Sequence, residues 1–331
     1  MSIYSDKNVL VTGGSGLIGR ALVELLIDKG ARVKIASLDD PTRAPKHCEF
    51  LRLDLREFKN CLRAAKDCEF VFHLAGIGGS PALTNARPAS FLVPSLMLNT
   101  NMMEAARQLD VERYLFASTV GVYAPAELLR ENDVWCSFPS KNDWFSGWGK
   151  RVGELQAQAY KIEYNWDKIS IVRPANVYGP YDNFSGPSAR VVGSLIHRAV
   201  SGENPLVVWG DGSPIRDFIH CRDVARGMIL ALEKGITDPI NLGTGTGITI
   251  KRLAIAISNA MGGIKIVWDE QKPQGDRVRL MDTTRAESYG IKTQISLEDG
   301  ITETLNWYKE NKNLKSTLYS AFSDQKYAQE P

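Results

Sequence analysis

Several absences narrow the reading before any motif is considered. No apolar run among the 331 residues approaches the ~20 needed to cross a bilayer, so no membrane partner is expected. The opening stretch MSIYSDKNVL lacks the basic-then-apolar pattern of a secretory leader. The cysteines (Cys48, Cys61, Cys68, Cys136 and Cys221) show neither C-x-x-C nor metal-ligand spacing. Their odd number and scatter point to reduced thiols and a cytoplasmic compartment. Cys136 is read as a small packing thiol. The histidines (His47, His73, His197 and His220) form no metal motif, so no metal is expected. Lys plus Arg (40) nearly balance Asp plus Glu (38), and this gives no global reason to expect a nucleic-acid partner. There is no internal repeat and no low-complexity segment. What remains is an ordinary globular composition, 44% hydrophobic and 24% charged, long enough for one large domain or two moderate ones.

The most informative stretch is Val9 to Glu24, VLVTGGSGLIGRALVE. An apolar run reads as a buried strand, breaks at Thr12 to Gly16, and resumes as a helix through Ile18, Leu22, Leu25 and Leu26. Gly13, Gly16 and Gly19 form a G-x-x-G-x-x-G variant of the dinucleotide fingerprint. The first permits a tight turn, the second lets a pyrophosphate reach the backbone, and the third lets helix and strand pack closely. The helix N-terminus then offers free N–H groups and a favourable dipole to the phosphates.

Further strands are expected at Ala31 to Ser37, Phe50 to Leu55, Phe70 to Leu74, Tyr114 to Ser118 and Ile169 to Val172, with a helix over Leu96 to Leu109. Strands alternating with helices over ~170 residues specify a doubly wound parallel sheet covered on both faces. Ligands of such sheets bind outside the carboxyl ends of the strands, where Gly13, Asp54, Ala75 and Thr119 all fall. At the end of the second strand stands Ser37, with Asp39, Arg43 and Lys46 close behind. A small polar residue with nearby cations favours NADP over NAD, although Asp39 suits a ribose hydroxyl. Asp54 is read either as an acceptor for the adenine amino group or as a helix N-cap. His73, within an apolar strand, is read as a satisfied core histidine.

Beyond Pro174 the texture changes to loops rich in Gly and Pro, such as Gly210 to Pro214, between helices at Val191 to Val200 and Val224 to Glu233. The expected organisation is a Rossmann α/β domain over residues 1–175 and a smaller mixed α/β lobe over 176–312, with segments interleaved between them. A polar, loosely held tail is expected over 313–331.

These stretches together resemble the extended short-chain dehydrogenase/reductase superfamily, within it the NAD-dependent epimerase/dehydratase family acting on nucleotide sugars. The resemblance is carried by TGGSGLIG (Thr12 to Gly19), VFHLAG (Val71 to Gly76), ASTVGVY (Ala117 to Tyr123), GKRVGE (Gly149 to Glu154), VRPANVYGP (Val172 to Pro180), GDGSPIRDFIH (Gly210 to His220) and INLGTG (Ile240 to Gly245). GPYDNF (Gly179 to Phe184) and VVWGDGSPIRDFIH are most similar to GDP-sugar enzymes of the GDP-fucose synthase type.

The resemblance implies an NAD(P) site built from Gly13, Ser15, Gly16, Leu17, Ile18, Gly19, Ser37, Asp54, Leu55, Leu74, Ala75, Gly76, Lys150, Pro174 and Val177. It implies a nucleoside-diphosphate sugar contacted by Ser118, Thr119, Asn176, Arg190, Trp209, Arg216 and Arg277, with one of Arg277 and Arg279 turned to solvent. Trp209 is read as a stacking residue or as core. A homodimer formed through a four-helix bundle, from the helices near 96–109 and 148–164, is also implied.

Family chemistry uses a Ser/Thr, a Tyr and a Lys. The Tyr exchanges a proton with a sugar hydroxyl, and the Lys holds the nicotinamide ribose and lowers the Tyr pKa. Thr119 and Lys150 match two of the three, but the Y-x-x-x-K spacing places Ser146 where the tyrosine belongs. The Cys and His that double epimerisation needs are replaced by Gly121 and Tyr181, and the acidic pair of dehydratases by Val120-Gly121. Simple redox chemistry at C4 remains: epimerisation through a keto sugar, or reduction of a 4-keto sugar. The alternative is a catalytically disabled NAD(P)/nucleotide-sugar-binding protein or sensor.

Overall fold

The computed structural model describes residues 2–186, 188–272, 275–312 and 318–322. Seven parallel strands form the main sheet in the order β3-β2-β1-β4-β5-β6-β10. Six come from residues 8–174: β1 (Asn8–Thr12), β2 (Arg32–Ser37), β3 (Glu49–Arg52), β4 (Phe70–His73), β5 (Arg113–Ala117) and β6 (Ile169–Pro174). β1 to β6 together give the 3-2-1-4-5-6 order of a Rossmann sheet, with the topological switch between β1 and β4. α1 (Leu17–Asp28) covers one face. α2 (Phe58–Ala65), α4 (Pro88–Gln108) and α5 (Trp144–Tyr164) cover the other. The short α3 (Pro81–Ala86) follows β4.

Apolar side chains drive this layering. Val9, Val11, Leu22, Val23 and Leu26 are buried on the α1 face, and Val71, Phe116, Met102 and Ala106 on the other. The two covered faces explain why β1, β4 and β5 read as near-continuous apolar runs.

Several boundaries differ from the sequence reading, three of them beside the crevice. β3 ends at Arg52, because the chain turns at Asp54, whose carboxylate takes the Arg56 N–H (3.0 Å). α4 starts at Pro88 rather than Leu96. Proline at the first helical position loses no intrahelical bond, and the buried Pro94 inside the helix is what makes the pattern look interrupted. α5 starts at Trp144, one turn before the expected segment.

The second lobe contains β7 (Asn176–Tyr178), α6 (Val191–Val200), β8 (Leu206–Trp209), β9 (Ile215–His220), β11 (Gly247–Thr249), α8 (Ile250–Ala260), β12 (Ile266–Asp269), β13 (Val278–Arg279), α9 (Thr284–Ser288) and α10 (Leu297–Asn311). β9 is central, flanked by β7, β11 and β13, while β8 pairs with β12. Leu195, Ile196, Phe218, Leu253, Ile257, Ile301 and Leu305 form its core. Residue 175 is not a clean boundary. α7 (Cys221–Glu233) returns to pack on α1, and β10 (Ile240–Leu242) adds the seventh strand beside β6.

Two expectations are corrected. Residues 318–322 of the supposed loose tail pack on the first domain, with Ala321 and Phe322 buried, because the Phe322 ring sits against Gly79 and under Arg87. The remainder of that tail lies outside the described residues. Cys136 is exposed, not packed, because it ends an irregular turn over Glu131–Cys136 at the surface. Among the described residues no helix is long and apolar enough to cross a membrane.

Candidate functional site

The three fingerprint glycines have different physical reasons. Gly13 has φ +69°, and a Cβ there would lie 3.0 Å from the Ala75 nitrogen, so the turn and its approach to β4 both require glycine. A Cβ on Gly19 would come within 2.2 Å of the Gly13 carbonyl oxygen, which leaves no room for a side chain where α1 meets the loop. Gly16, the N-cap of α1, is different. Its φ is an ordinary −85°, and a Cβ would meet nothing of the protein closer than 3.5 Å. The chain itself does not need glycine at this position. Its bare backbone leaves an open cradle at a helix N-terminus, as a pyrophosphate requires. Leu17 and Ile18 begin the helix behind it, packed against the core. The Thr12 hydroxyl accepts from the Leu74 and Ala75 amides (3.1 and 3.0 Å) and bonds the His73 ring (2.8 Å), tying β1 to the loop that runs to Gly76. His73 also meets Asn99 (3.3 Å), and burial with Lys150 nearby pushes its pKa down to about 3. It is a satisfied core histidine.

At the end of β2 the buried Asp39, rather than Ser37, dominates. The buried Ser15 hydroxyl donates to its Oδ2 (2.6 Å), with Ser37 Oγ 3.1 Å from Ser15. Arg43 lies beside it, half-buried, with its Nε 3.4 Å from the Ser15 carbonyl. Asp54 is held by a bidentate pair with Arg56 (2.8 and 2.8 Å), and the N-cap of α2 is Glu57, not Asp54. Leu55 is buried beneath this turn.

The end of the crevice that holds Ser146 and Lys150 is organised by α5. Lys150 is four residues, one helical turn, after Ser146. Its Nζ lies over the Phe116 ring (4.8 Å), 3.5 Å from Asn99 Oδ1 and 4.0 Å from where a Cβ on Gly76 would stand. Burial pushes its pKa down to about 8, with Glu154 opposing. Thr119 lies two residues beyond β5 and caps the following turn, its hydroxyl accepting from the Gly121 amide (3.2 Å). The Ser146 hydroxyl donates to the Asp143 carbonyl (3.0 Å), and the Asp143 carboxylate is 3.4 Å away. A Cβ on Gly121 would stand 3.4 Å from Ser146 Oγ, so the Thr119 turn and α5 face each other here.

A buried ionic network supports this end. Arg173, 1% exposed, pairs with Glu154 (2.6 Å) and donates to the Tyr123 hydroxyl (3.0 Å), which donates to Asn241 (2.6 Å). The Ser118 hydroxyl donates to Glu154 (2.5 Å), so Ser118 belongs to this network. Tyr123 is equally committed, buried between Arg173 and Asn241. Pro174 and Val177 carry the chain from β6 into β7.

On the opposite wall, Arg216 in β9 is half-buried, its pKa pushed down to about 10 by burial and by neighbouring Arg279. Arg279 pairs with both Asp143 and Asp276, while Arg277 is exposed. Of the two arginines, Arg279 is therefore the inward one. Ser140 and Asn142 donate to Asp276 (3.0 and 2.6 Å), fastening the segment before α5 to β13. Sequence reasoning missed Asp143, Asp276 and Arg279 as a unit. Its one available signal was that Asp143 and Ser146 lie three apart at a helix start. Trp209 ends β8 with 59% of its surface exposed, so it is not core. Asn176 is engaged with the Asp217 carbonyl (3.0 Å), and Arg190 is exposed at the start of α6. Tyr181 has φ +67°, with its ring against Trp307 and under Arg20.

A Rossmann sheet with an open glycine cradle, and a Thr119/Lys150 pair at its carboxyl edge, defines a nucleotide-dependent class of α/β protein. Comparison makes the class particular: the model of the NAD dependent epimerase/dehydratase family matches residues 9–243, and the chain belongs to that family. GDP-L-fucose synthase 1 of Arabidopsis thaliana is 31% identical over 323 residues, covering 94% of this chain and 96% of its own. GDP-L-fucose synthase of Escherichia coli (strain K12) is 30% identical, with 93% and 98% covered. Among solved structures, UDP-glucose 4-epimerase of Thermotoga maritima with UDP-glucose superposes with a TM-score of 0.83 at 28% identity, covering 92% of this chain and 100% of that one. The UDP-glucose 4-epimerase of Thermus thermophilus in complex with NAD gives 0.80 at 26% identity, with 91% and 99% covered.

Proposed function

We propose that this chain binds a nicotinamide dinucleotide and a nucleoside-diphosphate sugar, and that it acts on the sugar ring as a 4-epimerase or a 4-keto-sugar reductase. The observation that carries the reading is the convergence of the open Gly16 cradle, Lys150 beside Gly76, and Thr119 on one edge of the sheet. When bound, the dinucleotide supplies the hydride acceptor or donor. Lys150 orients the nicotinamide ribose, and its lowered pKa keeps it close to proton exchange near neutral pH. Thr119 hydrogen-bonds the reacting sugar oxygen. Ser146, short and weakly acidic, takes the sequence position of the tyrosine that would otherwise carry the proton, with its hydroxyl on the Asp143 carbonyl.

The GDP-L-fucose synthase relatives support a GDP-linked sugar. Gly121 and Tyr181 weigh against double epimerisation. Trp209 would stack on the base, Arg216 would pair with a phosphate, and Arg279 takes the inward place expected of Arg277. The buried Asp39 carboxylate favours NAD, whereas Arg43 beside it favours NADP. Exposed Val93, Val152, Leu155 and Ile162 on α4 and α5 support a homodimer through these helices.

A binding-only reading is favoured by one observation, the Ser146 hydroxyl turned onto its own helix start at Asp143. The deciding experiment compares the protein with its Ser146→Tyr variant. Each is given NAD or NADP and a panel of GDP-, UDP-, CDP- and dTDP-sugars, with products followed by NMR. Turnover by the parent supports the enzyme reading, turnover by the Ser146→Tyr variant alone marks Ser146 as a disabling substitution on a family scaffold, and binding without turnover by both supports the binding-only alternative.

A further inference from the structure

The C-terminal segment 318–322 lies where the first domain presents the carboxyl ends of β2, β3 and β4. The Tyr319 amide donates to Asp39 Oδ1 (2.7 Å), while Ser15 holds Oδ2. The Arg56 guanidinium, in the turn after β3, lies 5.7 Å from the centre of the Tyr319 ring. Arg87, beyond β4, donates to the Phe322 carbonyl (2.7 Å). The Phe322 ring is 8% exposed and sits where a Cβ on Gly79 would come within 3.2 Å of it. Ala321 is 2% exposed. A polar tail in solution has no reason to bury a phenylalanine and an alanine, or to place a backbone N–H on a buried carboxylate.

We propose that residues 318–322 belong to the dinucleotide site, closing its adenosine end until a dinucleotide displaces them. The proposal rests on the reading of the crevice as a nicotinamide dinucleotide site. In this fold the adenosine half lies over the ends of β2 and β3, and the acidic residue near the end of β2 accepts from its ribose hydroxyl. Here the Tyr319 N–H already occupies that acceptor, so a ribose hydroxyl and the segment compete for Asp39. The segment is tethered to the same chain, and the entropy cost of closing it onto the domain depends only weakly on the length of the tether. The apparent affinity for the cofactor is then the intrinsic affinity reduced by the fraction of molecules in which the segment is released.

Two variants of the full chain test this. Tyr319→Pro removes the N–H that holds Asp39, and Phe322→Ala removes the buried ring; neither touches the Gly16 cradle or Lys150. Titration calorimetry with NAD and NADP is expected to show roughly tenfold tighter binding by both variants than by the parent. Chymotrypsin reports the same event in the parent, where saturating dinucleotide is expected to speed cleavage after Tyr319 and Phe322. Equal or weaker binding by both variants, or added protection of the segment by dinucleotide, overturns the proposal while leaving the dinucleotide site in place. No binding by parent or variants overturns the dinucleotide reading and the proposal with it.

Discussion

The two ends of the crevice are built from different materials. At the glycine-loop end the main chain dominates: Gly13, Gly16 and Gly19 shape a tight loop at the start of α1, with the Gly16 N–H turned onto the Gly13 carbonyl (3.1 Å). At the other end side chains dominate: Thr119 and Ser146 meet across the turn after β5, and Lys150, one helical turn on, lies near Glu154 of the Glu154–Arg173 pair. A backbone site fails when sterics change, and the fold fails with it. A side-chain site can lose its main actor while the scaffold stays intact. Serine at position 146 leaves α5, Lys150 and the ionic network in place.

The largest effect expected from breaking this contrast is on rate. Ser146→Tyr restores the acid/base group, and general acid–base catalysis is worth roughly 10²–10⁴-fold, so single-turnover rates on the reacting sugar nucleotide should rise by that order. An unchanged rate would mean the reacting end already has another proton carrier.

Next comes the support beneath it. Glu154→Gln leaves Arg173 buried without its counter-charge, and about 3–5 kcal/mol of stability should disappear in a denaturant melt.

The pyrophosphate end offers a matched pair. Gly19→Ala forces a methyl group into the Gly13 carbonyl and should cost about 1–3 kcal/mol, whereas Gly16→Ala should leave the melt almost unchanged and weaken dinucleotide binding. If Gly16→Ala is as destabilising as Gly19→Ala, the cradle is a packing feature.

Lys150 gives a smaller, pH-dependent effect. Its folded pKa, about 8, lies below the ordinary 10.5. Between those values the folded chain binds fewer protons than the unfolded one, so stability should rise with pH across that window. Below about pH 8 the cost of burying the charge is fully present. Lys150→Met should flatten this rise, and in the parent dinucleotide affinity should fall as the pH passes about 8.

The smallest expected effect is Arg277→Ala, within about 0.5 kcal/mol of the parent because the side chain is exposed. Arg279→Ala should instead raise KM for the sugar nucleotide.

The sequence made the backbone end legible because glycine spacing and apolar runs are local signals. The strand-loop-helix at Val9 to Glu24 and the alternation through β6 needed no knowledge of distant residues. The side-chain end was legible in part. Motif spacing singles out Thr119 and Lys150 without any distant partner, whereas nothing local says that the Ser118 hydroxyl serves Glu154, 36 positions away. The choice between Arg277 and Arg279 depended on two acidic partners, one of them in another lobe. The segment at 318–322 was read as loose because its polar neighbours outweigh Ala321 and Phe322, and nothing local says that Asp39 is waiting 280 residues upstream.

The return of α7 and β10 to the first domain also constrains how the molecule is made. Translation of the first 175 residues leaves α1 without its neighbour and β6 as a bare edge. A ribosome working at about 5–20 residues per second needs several more seconds to deliver Leu242 and finish the sheet. During that interval an unpaired parallel edge, with Val172 beside the place Ile240 will take, is open to any other strand in the cell. A nascent chain paused between those two points is a natural client for chaperones, and a fragment cut there is a poor choice for expressing the domain alone.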